Sequence, residues 1–423
     1  MRISTHSKQA LVAALSVVVL GLAACGGGSS TTTSGLTKRA FVSDDFDGTI
    51  HIEDAQRDQE SGFTVTVGAG PGFMALSPDK SFTAIVSAST NALVVVKNAT
   101  EAVAGSVGLS APSSSYVVLS DNSTILAAVH NLAPINSAQP PGAVAVVSVT
   151  TDTTTNPPTT TVALTGTVPV NIPSTVVLSP DDKNLLVFSG PGDQVDSFYV
   201  IDVASAKANP STATVTPISD PENFSRPVSA VFSSDSTRAY ILNCGPECGG
   251  TTAGVTVLDM TASPPAVLAK VPLDAATIGL LNGTNLYIAG TKSGAPGGGT
   301  LSILDTSNLA APAVTVGISD GYHRQMEMAS NNRLFVGAIT CTNDPAVAHS
   351  GCLSMVNIGA NPPTAVVENA LGDTTGIAPI AARNIVYVIE GGELKIYDTT
   401  TDALTPQQID VVGKAVDVKY VDK

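Results

Sequence analysis

One run of this sequence, Tyr322-His323-Arg324 with Glu327 close behind, groups side chains that could bind a ligand. A guanidinium donates paired hydrogen bonds to a carboxylate or phosphate, and a phenol and an imidazole add polar contacts. The run could therefore hold an anionic or sugar-like ligand. A structural alternative stays open, in which Arg324 pairs with Glu327 and Tyr322 only packs.

A second group of polar residues is the acidic segment 43–48, with sequence SDDFDG and Asp54 further on. Closely spaced carboxylates are typical of calcium-binding loops, but a hairpin turn explains Asp47-Gly48 more simply. Three of the five histidines, at 130, 323 and 349, lack an evident set of converging ligands. We expect no metal ligands and no cofactor, with calcium or another divalent ion as the alternative.

Motifs of the common catalytic folds are missing from the sequence. It contains no G-x-S-x-G elbow, no Walker loop, no dinucleotide-binding fingerprint and no H-E-x-x-H. We therefore expect no catalytic residues, although an acid–base pair assembled from distant segments stays open.

The composition indicates many short strands and an acidic surface. The 423 residues include 37 Gly and 27 Pro, only 13% are charged, and the formal net charge is −15. Gly and Pro punctuate turns, and binding to nucleic acid needs clustered Lys and Arg, which this sequence lacks. We expect an all-β, monomeric protein that does not bind nucleic acid.

Four of the five cysteines form two local pairs, Cys244 with Cys248 and Cys341 with Cys352. Close, even-numbered pairs are typical of disulfides in proteins from an oxidising compartment. Zinc is the alternative, but it would need the two distant pairs to converge. We expect two disulfides.

The N-terminus has the features of an export signal. Arg2 and Lys8 precede an apolar run that ends in Leu22-Ala23-Ala24-Cys25. This ending resembles the lipobox of bacterial lipoproteins, which implies lipidation of Cys25 and attachment to a membrane. We expect a signal peptide over 1–24, a flexible tether over 25–37 and one domain over 38–423, held at the outer membrane and facing the periplasm or the cell surface.

The rest of the chain is built from a repeat. One strand and a tight polar turn, as in PGFMALSPDK (71–80) and IPSTVVLSPDD (172–182), precede a second strand such as RAYILNC (238–244). A third strand often ends in Asp, as in GVTVLD (254–259), and a variable fourth follows. The spacing of about 40 to 57 residues is typical of four-stranded propeller blades.

Eight such units fit the chain, with seven as the alternative. The first unit lacks its opening strand, whereas 414–422 at the C-terminus has no unit of its own. We expect these two ends to pair, because this closes the ring and removes an exposed strand edge.

Several units resemble the YVTN-type propeller repeat, in which an aromatic second strand precedes a Val-Ile-Asp third strand. RAYILNC with GVTVLDM and NLYIAG with TLSILDT carry the likeness. The resemblance implies a fold shared by lactonase-like enzymes, surface-layer proteins and binding proteins, and it leaves the activity open.

Function should lie on the side of the ring that carries the long loops between second and third strands. Residues just before each first strand surround the channel mouth on that side, and most of them are small. The larger or charged exceptions are the candidate ligand-binding residues: Phe73, Arg226, Tyr322, His323, Arg324, Glu327 and Lys414.

These features predict a non-catalytic binding or scaffold protein whose partner is a protein, a glycan or a small molecule. Two alternatives stay open. One is a lactonase-like hydrolase with its site at the channel mouth, and the other is a structural surface protein.

Overall fold

The computed structural model describes residues 33–130, 142–189, 196–294, 297–342, 351–367 and 371–422. Nearly all of them lie in eight four-stranded antiparallel sheets. The prediction of an all-β propeller is confirmed, and so is the favoured number of eight blades. The predicted lipidation site Cys25 and signal peptide 1–24 lie outside the described residues, as does most of the tether 25–37. Among described residues, no helix has the length and apolar character needed to span a bilayer.

The blades are numbered along the chain, and the strands of each blade follow in order from the inner to the outer edge. Blade 1 contains β32 (Ala415–Asp422), β1 (Lys38–Asp44), β2 (Thr49–Asp54) and β3 (Gln59–Thr66). Blade 2 contains β4 (Pro71–Leu76), β5 (Phe82–Ser87), β6 (Ala92–Lys97) and β7 (Ala102–Gly108). Blade 3 contains β8 (Ser113–Val118), β9 (Thr124–His130), β10 (Gly142–Asp152) and β11 (Thr159–Pro169). Blade 4 contains β12 (Pro173–Leu178), β13 (Asn184–Ser189), β14 (Ser197–Asp202) and β15 (Val215–Ser219).

The second half of the ring follows the same order. Blade 5 contains β16 (Pro227–Phe232), β17 (Arg238–Asn243), β18 (Gly254–Asp259) and β19 (Ala266–Pro272). Blade 6 contains β20 (Ile278–Asn282), β21 (Asn285–Thr291), β22 (Gly299–Asp305) and β23 (Val314–Ile318). Blade 7 contains β24 (Tyr322–Ala329), β25 (Arg333–Ile339), β26 (Leu353–Asn357) and β27 (Thr364–Val367). Blade 8 contains β28 (Thr374–Pro379), β29 (Ile385–Glu390), β30 (Glu393–Asp398) and β31 (Ala403–Leu404). The helices of the described segments are one short α-helix (Val203–Ala208) and three single 3-10 turns (Pro210–Thr212, Gly245–Cys248 and Ser330–Asn332).

Burial along the strands explains why each blade needs its neighbours. The second strand of blade 2, β5, is buried at all six positions, whereas β7 at its outer edge alternates exposed and partly buried residues. Leu93 and Val95 of blade 2 share one buried cluster with Ala127 and Val129 of blade 3. Ile85 of β5 belongs to a second buried cluster with Phe41 and Ile52 of blade 1, so the two faces of a second strand are buried by the blades on either side of it.

The ring closes through the two ends of the chain. Strand β1 pairs with β32 from Lys38 opposite Asp422 to Asp44 opposite Ala415. The inner strands also contact one another in order around the ring, and β32 lies between β28 of blade 8 and β4 of blade 2. The predicted pairing of the chain ends is confirmed, and it gives blade 1 the inner strand that its own repeat lacks.

The two sides of the ring differ in their connections. On one side, called the turn face, short turns join inner to second strands, and a Ser hydroxyl donates to the Asp two residues later. These bonds measure 2.7 Å in Ser77–Asp79, 2.8 Å in Ser179–Asp181 and 2.6 Å in Ser233–Asp235. The opposite side, called the loop face, carries the connections between second and third strands and between blades. On this face, the long connection 244–253 between β17 and β18 lies wholly within the described residues.

A β-bulge recurs where the inner strands reach the loop face. In seven of the eight blades the register between the inner and second strands shifts by one residue there, and blade 6 is regular. An extra residue in one strand bends that strand and redirects a side chain. The bulges therefore determine which side chains surround the channel mouth.

Candidate functional site: the channel mouth on the loop face

A cavity of about 250 Å³ opens at the loop-face end of the central channel. Side chains from blades 2 to 7 line it, and most of them are polar. The lining residues are Phe73, Ser115, Ser174, Thr175, Val228, Ser229, Thr277, Ile278, Tyr322, His323, Arg324 and Gln325. Four of the seven candidate residues from the sequence are among them.

Arg324 is the cationic residue of this cavity. It is the extra residue of the blade 7 bulge, between His323 opposite Ala338 and Gln325 opposite Gly337. Its guanidinium carbon lies 4.7 Å from the ring centroid of Phe73, which belongs to blade 2. Within the described part of the chain Arg324 forms no ion pair, so its pairing with Glu327, the structural alternative, is not seen. The guanidinium therefore has donors left for a ligand.

Two hydrogen bonds to the backbone fix the position of Phe73. The carbonyl oxygen of Phe73 accepts a hydrogen bond from the phenol of Tyr116 in blade 3. The next amide, that of Met74, donates to the Asp417 carboxylate over 2.8 Å. The aromatic surface under Arg324 is therefore fixed by backbone contacts to two neighbouring blades.

A carboxylate that the sequence analysis missed lies beside the cavity. Glu247 accepts hydrogen bonds from the Thr277 hydroxyl at 2.7 Å and from the Thr291 amide at 2.8 Å. Burial raises the pKa of Glu247, and the two hydrogen bonds partly oppose that rise. The sequence alone does not indicate this role for Glu247, because its partners Thr277 and Thr291 lie in the next blade and approach it only in the folded structure.

Tyr322 is the most exposed aromatic residue of the cavity, with 38% of its surface accessible. Burial of the phenol raises its pKa, Arg324 lowers it and Glu247 raises it further. Its hydroxyl is therefore protonated at neutral pH and can donate a hydrogen bond to a ligand.

His323 contributes less to the cavity than its position in the sequence indicated. Its side chain is buried, and Nε2 lies 3.0 Å from the Ser319 carbonyl oxygen, to which it can donate. Burial lowers the pKa of His323 to about 4. The imidazole is therefore neutral at pH 7 and adds no positive charge at the mouth.

Glu327 lies further along β24 than Gln325, and it is not among the residues that line the cavity. Burial raises its pKa, Lys419 opposes the rise and Asp417 adds to it. Lys419 donates to Asp417 over 3.3 Å, so these three residues form one charged group around the closing strand β32. Glu327 is thus placed with the ring closure and not beside Arg324.

Arg226 and Lys414 lie on the loop face outside the cavity lining. Arg226 has a left-handed backbone with φ of 55°, and its carbonyl accepts from the Cys244 amide at 3.0 Å. Its Nε and Nη1 atoms are buried with no hydrogen-bond partner among the described residues. The Lys414 carbonyl accepts from the Asp45 amide at 2.9 Å, which ties Lys414 to blade 1.

Both predicted disulfides are present on the loop face. Cys244 bonds to Cys248 and Cys341 to Cys352. The first closes the loop that carries Glu247, and the second joins the ends of the blade 7 loop. Disulfides form and persist in oxidising compartments, so these bonds indicate a protein that folds outside the cytoplasm.

The acidic segment 43–48 brings together a group that the sequence analysis only partly identified. One oxygen each of Asp44 and Asp47 and the Nε2 of His51 lie within 4.8 Å of one another. Asp54, the acidic residue that follows this segment in the sequence, lies at the far end of β2, where its carboxylate accepts from the Gln56 amide at 2.9 Å. The sequence does not single out His51, because one histidine in a strand does not indicate which side chains of the neighbouring strand lie next to it.

Comparisons with known proteins show the fold. No family model matches the chain, and no curated protein matches it. Among solved structures, apo AztD from Citrobacter koseri has a TM-score of 0.60 at 12% identity and covers 91% of this chain and 97% of its own. The dihydro-heme d1 dehydrogenase NirN has a TM-score of 0.60 at 13% identity over 90% of this chain and 75% of its own. The periplasmic gluconolactonase PpgL of Pseudomonas aeruginosa has a TM-score of 0.50 at 16% identity over 91% of this chain and 99% of its own.

Two of these neighbours are named for different enzyme activities, and all three are distant in sequence, so the likeness extends to architecture alone. By blade number, closure and structural likeness, this chain is an eight-bladed β-propeller.

Proposed function

We propose that this protein is an extracytoplasmic binding protein that holds a small anionic, sugar-like ligand at the channel mouth without transforming it. The observation that carries the proposal is the position of Arg324. Its guanidinium lies in the cavity on the ring of Phe73, with no carboxylate paired to it among the described residues. The chain carries a net charge of −15, so a cation left unpaired beside a cavity favours an anion as its partner.

The stacking on Phe73 suits ligand binding because it orients the guanidinium without using its N–H donors. Arginine that is stacked on an aromatic face can still donate bidentate hydrogen bonds from its edge to a carboxylate or phosphate. A lysine in the same place could not donate two parallel hydrogen bonds from one planar group. The recognised group is therefore a planar or tetrahedral oxyanion.

The remaining lining favours a ligand that also carries hydroxyl groups. Ser115 uses its oxygen to accept from the Val176 amide at 3.1 Å, which leaves its own O–H available to donate. Thr175, Ser229 and Gln325 add further polar groups to the wall. The cavity of about 250 Å³ is below the roughly 300–1,000 Å³ typical of drug-sized ligands, so a molecule the size of a monosaccharide acid fits best.

A lactonase-like hydrolase is the second candidate, and Glu247 is the observation that favours it. Hydrolysis of a lactone needs a base for the attacking water, and Glu247 is a carboxylate beside the cavity, bonded to the lining residue Thr277. The likeness to a gluconolactonase is compatible with this alternative. Turnover of glucono-δ-lactone that Glu247→Gln abolishes would support the hydrolase over the binding protein.

The proposal includes the anchor predicted from the sequence. Lipidation of Cys25 would tether the ring to the outer membrane, facing the periplasm or the cell surface. Metabolic labelling with a radioactive fatty acid tests it: label should enter the wild-type chain and not Cys25→Ala. Label retained by the variant would refute the anchor.

A thermal-shift screen tests the ligand class. Gluconate, galacturonate and inorganic phosphate are the anionic probes, and glucose and methyl glucoside are neutral probes of similar size. A ligand that binds only the folded state raises the melting temperature, and the rise grows with the ratio of ligand concentration to Kd. We expect stabilisation by a sugar acid and little by the neutral sugars. Equal stabilisation by both classes, or by neither, would overturn the proposal.

A further inference from the structure

We infer that the turn between β1 and β2 forms a transition-metal site in which Asp44, Asp47 and His51 are the ligands, and that Zn²⁺ is the ion it suits. The inference does not rest on the cavity at the channel mouth, because none of these three residues lines that cavity. The site lies on the loop face in blade 1.

The strand register explains why the three side chains converge. Asp44 pairs with Thr49, and Val42 pairs with His51. Residues opposite each other in a sheet share one face, as do residues two apart in a strand. Asp44 and His51 therefore project from the same face of the hairpin, and Asp47 follows from the turn that joins the two strands.

Each carboxylate uses one oxygen for the turn and directs the other to the imidazole. Oδ1 of Asp44 accepts from the Phe46 amide at 2.7 Å, and Oδ1 of Asp47 accepts from the Thr49 amide at 3.1 Å. Their Oδ2 atoms lie 3.9 Å and 3.7 Å from Nε2 of His51. The turn thus fixes both carboxylates while leaving one oxygen of each for another partner.

Two of these three atoms are buried and unsatisfied within the described part of the chain. The Asp44 side chain is 0% exposed and that of His51 is 16% exposed. Asp44 Oδ2 and His51 Nε2 find no hydrogen-bond partner among the described segments, and 3.9 Å is too long for them to satisfy each other. Buried polar atoms without a partner are costly, and a bound cation would satisfy both atoms at once.

The backbone next to the site is shaped around Asp44. A Cβ atom on Gly413 would lie 2.0 Å from Asp44 Oδ2, so only glycine leaves space for this carboxylate. Gly413 also has a φ of 142°, a backbone angle that residues other than glycine rarely adopt. The connection before β32 therefore accommodates Asp44 in its inward position.

The donor set selects the type of ion. Imidazole with two carboxylates suits Zn²⁺ and related transition metals, whereas Ca²⁺ takes six to eight oxygen ligands. A tetrahedral zinc with bonds of about 2.0–2.1 Å holds its ligand atoms roughly 3.3 Å apart. The two carboxylate–imidazole distances of 3.9 Å and 3.7 Å would therefore each shorten by about half an ångström when the ion binds. Three protein ligands leave a fourth position open to solvent or to a ligand.

Metal titration of the tag-free mature protein tests the site, with Co²⁺ as a spectroscopic substitute for Zn²⁺. We expect wild type to bind one equivalent of Co²⁺ and to show visible d–d absorption. Zn²⁺ should displace the Co²⁺ and abolish this absorption. Loss of a residue that only hydrogen-bonds to a metal ligand weakens metal binding by roughly 10–100-fold. His51→Ala and Asp47→Asn each remove a ligand itself, so each should weaken metal binding by more than this. Asp45→Asn is the matched control, because this exposed carboxylate in the same turn is not one of the three ligands.

Melting temperatures measured in EDTA check that every variant is folded. Zn²⁺ should raise the melting temperature of wild type and Asp45→Asn and leave the two ligand variants unchanged. The site is refuted if wild type binds neither ion, or if His51→Ala binds as wild type does. Binding of Ca²⁺ that depends on Asp47 but not on His51 would also refute it.

Discussion

Arg324 in blade 7 lies over the aromatic ring of Phe73 in blade 2, with 4.7 Å between the guanidinium carbon and the ring centroid. Blades 8 and 1 separate the two residues along the ring, so the contact joins inner strands that are not neighbours. It places the cation of the cavity at the channel mouth, where a ligand approaching from the loop face would meet it.

Replacing the aromatic ring tests whether the stacking prepares Arg324 for binding. A cation–π contact contributes about 1 kcal/mol at a partly exposed site, so Phe73→Leu should weaken binding of a sugar acid by roughly 5-fold. Isothermal titration calorimetry with gluconate measures this loss. Phe46→Leu is the control, because Phe46 is an exposed phenylalanine of the loop face that does not line the cavity. Equal affinities for both variants would argue against a role for the stacking.

The protonation of His323 is a direct test of how the mouth is charged. Burial lowers its pKa from 6.5 to about 4. The unfolded chain therefore binds more protons than the folded chain between these values, and the contribution of His323 to stability is lost as the pH falls from 6.5 to 4. NMR titration of the imidazole signals, assigned with His323→Gln, should show a neutral ring at pH 7. A midpoint of roughly 6.5, the value of an unperturbed histidine, would contradict the buried placement.

Glu53 should make the protein less stable as the pH rises. Burial raises its pKa from 4.5 to about 7. Between these values the folded state binds more protons than the unfolded state, so the free energy of unfolding decreases with rising pH. Glu53→Gln should remove up to roughly 3 kcal/mol of this decrease and be more stable than wild type at pH 8.

Urea unfolding at pH 4, 6 and 8 measures the effect of Glu53. The exposed Glu222→Gln serves as the control for loss of one carboxylate. The two variants should differ at pH 8 and agree at pH 4. Parallel curves for Glu53→Gln and wild type would mean that Glu53 is not buried in its neutral form.

Asp417 connects the C-terminal strand to blade 2, and its loss should weaken the ring closure. Its carboxylate accepts from the Met74 and Val418 amides, each at 2.8 Å, and is fully buried. Removing an acceptor from a buried amide costs about 1–3 kcal/mol, so Asp417→Ala should lower the free energy of unfolding by at least that amount. Asp410→Ala removes an exposed carboxylate from the connection before the same strand and should have little effect. A similar loss in both variants would contradict the closure role.

The repeat made the architecture predictable, since turns such as SPDK and third strands ending in Asp fix the unit and its length. The pairing of the first unit with 414–422 followed from counting strands, because a ring with one incomplete unit needs a strand from the other end. The position of Phe73, Tyr322, His323 and Arg324 at the mouth followed from the order of strands in a blade.

The orientations of those residues could not be predicted from the sequence. Arg324 enters the cavity because a bulge adds one residue to β24, and His323 turns inward at the same bulge. A one-residue shift exchanges which side chains face the channel, and sequence alone does not locate it. Glu247 and His51 were missed because each meets its partners, Thr277 and Asp44, only through tertiary structure.

Calorimetric titration of gluconate into wild type, Arg324→Ala and Arg238→Ala tests the central claim most directly. Arg238 is an exposed arginine at the turn-face end of β17, so its removal changes the net charge equally without touching the cavity. We predict one site in wild type and in Arg238→Ala, and at least a roughly 10-fold loss in Arg324→Ala, as expected for a charge-assisted hydrogen bond. Unchanged affinity in Arg324→Ala, or an equal loss in both variants, would contradict the channel mouth as the anion-binding site.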